Sequence, residues 1–205
     1  KLLLQTKAFG QQIHHVEFSP NEANRLITAG RSHIRFWKMA STFTGLKLTG
    51  SLGKFGKVEL TDISTCIQLP SGPVLSSSTY GSILIWEGNS IKAQVKRNHK
   101  TLCHDGPITY LGLEVNGARL VSAGRDGWIR TWDVVSLIPA EVSIDTAMNC
   151  CVSPLNQFRL GDLQCGISRV IRNVANEELV ICAVSGSILQ IPVESILWNH
   201  SQTKQ

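Results

Sequence analysis

The residues of this 205-residue chain whose types could do chemistry are Ser122, His104 and Asp126. They are the components of a nucleophile, its base and the group that orients the base. No G-x-S-x-G turn surrounds Ser122, so nothing in the sequence presents an activated hydroxyl, and catalysis is disfavoured. His14 with His15, and His99 with His104, are the nearest thing to a metal set. Adjacent residues on a strand point to opposite faces, so packed or solvent-facing histidines are expected unless a bulge intervenes. The glycines form neither G-x-G-x-x-G nor G-x-x-x-x-G-K-[ST], so no nucleotide and no other cofactor is expected.

These residues sit in a stretch that recurs. Leu120 to Ala123 is small and apolar, Gly124-Arg125-Asp126-Gly127 is a turn, and Trp128 to Asp133 is β-branched and aromatic. Leu26 to Trp37 and Val74 to Glu87 repeat it. Leu179 to Ile191 is a degenerate copy with Ile191 in the Trp position. The landmarks Trp37, Trp86, Trp132 and Ile191 are spaced by 49, 46 and 59 residues. Turn residues Pro20, Pro70, Asn116 and Asn176 precede them by 17, 16, 16 and 15. A period of this size, built only of strands and turns, predicts an all-β fold: a β-propeller portion of about four blades of four antiparallel strands.

The expected boundaries are a lone strand of a preceding or closing blade over 1–9, blade one over 10–57, blade two over 58–100 and blade three over 101–145. An insertion, blade four and a tail fill 146–205. Outer strands are expected at Leu46–Thr49, Ile91–Lys96 and Ala140–Ile144, with a loop over Gly50–Gly56 and no amphipathic helix.

Hydrophobic residues make up 42% of the chain and charged residues 17%, which argues against wholesale disorder. The net charge of +5 permits an acidic partner without demanding one. No apolar run is long enough for a membrane-spanning helix, and Lys1 to Leu4 is too short for a signal peptide. The six cysteines contain no C-x-x-C pair and are expected to be structural thiols in a reducing, intracellular setting.

With those repeats the chain resembles a WD-repeat propeller. In that family a His, a Ser or Thr, an Asp and the Trp of each blade form a hydrogen-bonded set. The resemblance assigns His104, Ser122, Asp126 and Trp132 to this set in blade three. Blade one keeps Thr28 and Trp37 without the Asp, blade two keeps Ser76 and Trp86, and blade four has lost the Trp. Arg31 to Met39, followed by Gly53 to Lys57, resembles a segment shared by large ciliary WD-repeat proteins and the echinoderm microtubule-associated-protein-like family. Ala40 to Leu48, Leu84 to Lys92 and Cys103 to Ile108 are closer to the cilia- and flagella-associated members. The resemblance implies a non-enzymatic scaffold in the ciliary or flagellar axoneme that helps tether an inner-arm dynein complex to the doublet microtubule. Other axonemal WD-repeat proteins are further expected partners. The alternative is a cytoplasmic propeller that binds tubulin directly. Rings of this family more often have seven blades, so the chain is expected to be part of a longer one, with apolar blade edges at both ends.

Two sets of cations are candidate partner-binding residues. Arg31, Arg35, Arg125 and Arg130 lie at or near the turns that line one rim of a propeller, where they either meet a partner or bridge neighbouring blades. Lys92, Lys96, Arg97 and Lys100 form a basic cluster on an outer strand and its following loop, suited to an acidic tubulin surface. Nucleic acid is disfavoured, because no aromatic residues interleave with that cluster.

Overall fold

The computed structural model describes residues 4–8, 10–97, 101–138, 149–159, 165–173, 175 and 177–197. Blade one is a meander of β1 (Ile13–Phe18), β2 (Arg25–Gly30), β3 (His33–Thr42) and β4 (Gly45–Leu52). Its last two strands are longer than the sequence pattern suggests. β3 continues to Thr42 and β4 begins at Gly45, so the stretch after Met39 is a hairpin, and Gly50 to Leu52 are strand rather than loop. Leu4 to Ala8 make no ladder with the described residues. The Ala8 carbonyl accepts from the Arg35 side chain at 2.7 Å.

Blade two contains β5 (Cys66–Gln68), β6 (Val74–Ser77), β7 (Ile83–Glu87) and β8 (Ser90–Arg97), with β9 (Thr101–Leu102) hairpinned onto the end of β8. Blade three begins with β10 (Ile108–Leu113), β11 (Arg119–Gly124) and β12 (Trp128–Asp133). A short helix α1 (Val134–Leu137) follows, its amide at Ser136 capped by the Asp133 carboxylate. The expected outer strand at Ala140–Ile144 lies outside the described residues. The stretch read as an insertion supplies two strands instead. β13 (Asn149–Cys151) adds to β8 in parallel, and β14 (Asn156–Arg159) takes the outer position of blade three against β12. Blade four is β15 (Ile167–Asn173), β16 (Glu178–Ala183) and β17 (Ile188–Pro192), followed by α2 (Val193–Leu197).

The blades bury their faces against one another, so the core lies between sheets. Ile34, Ile63, Leu84 and Trp86 fill the gap between blades one and two. Leu75, Ile85, Ile108 and Trp132 fill the next, and Ile129, Val170, Ile181 and Ile196 the third. The inner strands β1, β10 and β15 carry a bulge at corresponding places, after Ile13, Ile108 and Ile167. This bends each strand where it enters the blade. Apolar side chains remain exposed at the two ends of the array, among them Val16 and Phe18 in blade one and Ile171 and Ile188 in blade four.

Candidate functional site

The registers align the four blades residue by residue. Leu26, Val74, Leu120 and Leu179 on the second strands face Trp37, Trp86, Trp132 and Ile191 on the third. Two residues further along the second strand stand Thr28, Ser76, Ser122 and Ile181. In three blades the Trp indole N–H donates across this step. Trp37 Nε1 reaches Thr28 Oγ1 at 2.9 Å, Trp86 reaches Ser76 Oγ at 2.8 Å, and Trp132 reaches Ser122 Oγ at 2.8 Å.

Blade three extends this bond into a chain. Ser122 Oγ lies 2.8 Å from His104 Nε2, and His104 Nδ1 lies 2.8 Å from Asp126 Oδ1. Asp126 also accepts from the amides of Asp105 at 3.1 Å and Trp128 at 3.2 Å. Its Oδ2 accepts from Arg130 Nη1 at 2.9 Å. The Ser122 and Asp126 bonds close when His104 carries its proton on Nδ1 and receives the Ser122 hydroxyl at Nε2; the Arg130 Nη1 that lies 3.0 Å from Nδ1 then donates to Asp126 alone. Burial pushes the His104 pKa below its ordinary value and outweighs the upward pull of Asp126. Burial pushes the Asp126 carboxyl up, but bonds and charge from His104, Arg130 and the Asp105 amide prevail and hold it below the usual carboxylate range. The set at neutral pH is therefore a neutral imidazole beside an ion pair.

The Ser–His–Asp distances are those of a nucleophilic relay, yet Ser122 and His104 are both 0% exposed. The Ser122 oxygen is occupied by the Trp132 donor on one side and His104 on the other. The arrangement joins the strands of the blade, with both sides of the hydroxyl engaged.

The rim arginines divide into two kinds. Arg31 and Arg125, on the turns between second and third strands, are exposed. Arg130 is 1% exposed, spent on Asp126 and lying over the Trp128 ring at 5.1 Å, so it meets no partner directly. Arg35 occupies the equivalent place in blade one, where the turn lacks an Asp. It is half-buried over Trp37 at 4.6 Å and donates to the carbonyls of Ala8 and Gly50. Arg130 is thus spent on the Asp126 set of its own turn, whereas Arg35 reaches back to Ala8 in the stretch that precedes blade one. Sequence reasoning missed this role of Arg130, which the register of β11 and β12 sets.

The basic cluster does not lie on a free edge. β13 covers the part of β8 that carries Gln94 to Lys96, Lys92 pairs with Glu87 at 3.3 Å, and Lys96 and Arg97 are half-buried. Lys100 and His99 lie outside the described residues. His14 and His15 both border a cavity of about 490 Å³ ringed by the inner strands, and His15 Nε2 lies 3.3 Å from Glu17 Oε2. Among the described residues no three His, Cys, Asp or Glu side chains come together as a metal site would require. The six cysteines are free, and burial pushes the Cys103 thiol up to about 12, as suits a small core hydrophobe.

The meander sheets, the blade-to-blade core and the Trp-centred bonds define a WD-repeat β-propeller portion. Residues 96–133 match the family described as WD domain, G-beta repeat. The crystal structure of the WD40 β-propeller domain of Doa1 superposes with a TM-score of 0.60 at 15% identity, over 90% of this chain and 52% of that one. Among individual proteins, the chain is 51% identical over 113 residues to cilia- and flagella-associated protein 44 of Chlamydomonas reinhardtii, covering 55% of this chain and 6% of that protein. The mouse protein of the same name is 42% identical over 158 residues, 77% of this chain and 8% of the relative. Echinoderm microtubule-associated protein-like 4 of mouse is 34% identical over 140 residues, 64% of this chain and 14% of the relative. The chain thus spans less than a tenth of the cilia- and flagella-associated relatives. The resemblance expected from the sequence, with those relatives ahead of the echinoderm type, is borne out.

Proposed function

We propose that this chain is a non-enzymatic part of an axonemal scaffold that helps tether an inner-arm dynein to the doublet microtubule. The observation that carries the reading is the similarity to cilia- and flagella-associated protein 44, at 51% over 113 residues in one relative and 42% over 158 in another. The buried state of the Ser122–His104–Asp126 set supports the non-enzymatic half, because a relay closed to solvent serves rigidity. Rigid blades present their turns, and Arg31 and Arg125 are the exposed cations there. A second reading, a cytoplasmic propeller acting on microtubules directly, is favoured by the 34% identity to echinoderm microtubule-associated protein-like 4.

Proximity labelling with the full-length protein tagged in a ciliated cell separates the two. Enrichment of inner-arm dynein and doublet proteins is the expected result. Labelling along cytoplasmic microtubules without axonemal neighbours supports the second reading, and nuclear or RNA-associated neighbours overturn both.

A further inference from the structure

Blades one and two differ in the length of one hairpin. In blade one, β3 and β4 continue for five Cα pairs beyond Trp37 and Gly50, from Lys38 with Thr49 to Thr42 with Gly45. In blade two, β7 and β8 continue for one pair beyond Trp86 and Ile91, Glu87 with Ser90, before turning at Gly88 and Asn89. Four extra pairs at about 3.3 Å each leave the blade-one hairpin overhanging its neighbour by roughly 13 Å. The hairpin ends in Phe43, whose side chain is fully exposed.

The mismatch opens a cleft of about 690 Å³ between the two blades. Its apolar side includes Leu26, Val74 and the half-buried Phe36, with Trp86 behind them. Lys38, Ala40 and Thr49 line it from the overhanging hairpin, and Arg25 lines it from β2, where it is paired with Lys38. Lys47 is paired with Ala40 in the ladder and so stands on the same face. Arg25 shares its charge with Glu22 at 2.8 Å. Among the described residues no carboxylate lies within 4.0 Å of Lys38 or Lys47, and the cleft lining contains no Asp or Glu. The cleft is an apolar trough with unneutralised positive charge along one wall.

We propose that this cleft is a docking site for an extended acidic peptide carrying one large apolar side chain, with the side chain in the trough and its carboxylates along Lys38 and Lys47. A peptide suits it better than a nucleic acid. Trp37 and Trp86 are only 4% and 1% exposed, so no indole face is free for a base to stack on. The site is separate from the arginine turns, and the proposal rests on the scaffold reading only in taking the partner to be protein.

The test is fluorescence anisotropy of the full-length protein with a labelled peptide of alternating Glu and Gly bearing one central Phe. The expected result is salt-sensitive binding that weakens by about tenfold or more when Lys38→Glu and Lys47→Glu are combined. Replacing the peptide Phe by Gly weakens it by a similar factor, about tenfold or more, since the apolar burial in the trough is lost. Ala40→Trp, which fills the trough, gives the same loss without a change of charge. All three substituted positions are exposed, so an unchanged melting curve accompanies the loss. Equal binding by the variants, equal binding of the Phe-free peptide, or tighter binding of an oligothymidylate at the same cleft overturns the proposal. An overturned cleft with dynein neighbours retained in the labelling experiment leaves the scaffold reading standing.

Discussion

Asp126→Asn asks whether the network in blade three holds by charge or by shape. Asn keeps the size of the side chain and one acceptor oxygen, so His104 and the Trp128 amide retain a partner. The negative charge is lost. Arg130 is then 1% exposed with a guanidinium whose counter-charge is gone, relieved only by the Trp128 ring at 5.1 Å. Removing one member of a buried ion pair costs about 3–5 kcal/mol, whereas loss of one neutral hydrogen bond costs about 1 kcal/mol. The first figure governs if Arg130 is as enclosed as its exposure says. Hydrogen exchange of the full-length protein, read on peptides covering 101–133, measures the local opening free energy. Protection there is expected to fall by about two to three and a half decades, while peptides of blade one, two sheets away, stay unchanged. Arg130→Met added to Asp126→Asn removes the orphaned charge and recovers more than half of the loss. An Asp126→Asn effect below about 1 kcal/mol, or a double variant equal to the sum of its singles, would refute the charge argument.

Three further outcomes follow from the same geometry. His104 has a lowered folded pKa, so its unfolded form binds the proton first. Its contribution is complete above about pH 6.5 and is lost as pH falls below that, with the Asp126 contribution following below about pH 4. Melting temperature is therefore expected to decline from neutral pH into mild acid, and His104→Gln to flatten the upper part of that slope. Trp86→Phe removes the donor to Ser76, which is 0% exposed, and is expected to cost about 1–3 kcal/mol in the exchange of β6 and β7. Arg31→Glu with Arg125→Glu is expected to leave stability within about 0.5 kcal/mol, because both are exposed; the proximity-labelling pattern is where its effect is to be read.

The blades were legible wherever strands repeat in register. Leu26 to Trp37, Val74 to Glu87, Leu120 to Asp133 and Leu179 to Ile191 each form the expected pair of strands, because alternation and turn chemistry are local properties. The return of Asn149–Cys151 to blade two was not legible. A three-residue parallel strand is too short to show a period, and its partner β8 lies more than fifty residues back. The Arg130 role was hidden for a different reason. An arginine near a turn has the same sequence signature whether it faces solvent or a carboxylate, and only the register places Arg130 opposite Ser122, beside the Asp126 chain. The cleft was hidden as well, since it comes from a difference in length between two hairpins in separate repeats.

Blade four explains why the polar set can be absent without loss of the sheet. Where the other blades have Thr28, Ser76 or Ser122 beneath a Trp, blade four has Ile181 and Ile191, and Leu189 stands opposite Ile181 as Arg130 stands opposite Ser122. Donor and acceptor are replaced together by apolar groups, and Ile181 is 0% exposed, so no polar group is left unsatisfied. Such a paired exchange is close to neutral, whereas losing one partner costs the desolvation of the other. Sheet stability therefore cannot be the whole reason for the set in blade three. What the set adds is a fixed turn: Asp126 ties the Asp105 and Trp128 amides to His104, and Arg125 projects from the middle of that tie. In blade four the corresponding turn keeps the backbone bonds, from Val184 to the Gly166 carbonyl and from Gly186 to the Ala183 carbonyl, while its side-chain contacts at Ser185 are exposed hydroxyl and thiol ones. The turn that carries Arg125 thus has buried side-chain bonds that the blade-four turn lacks.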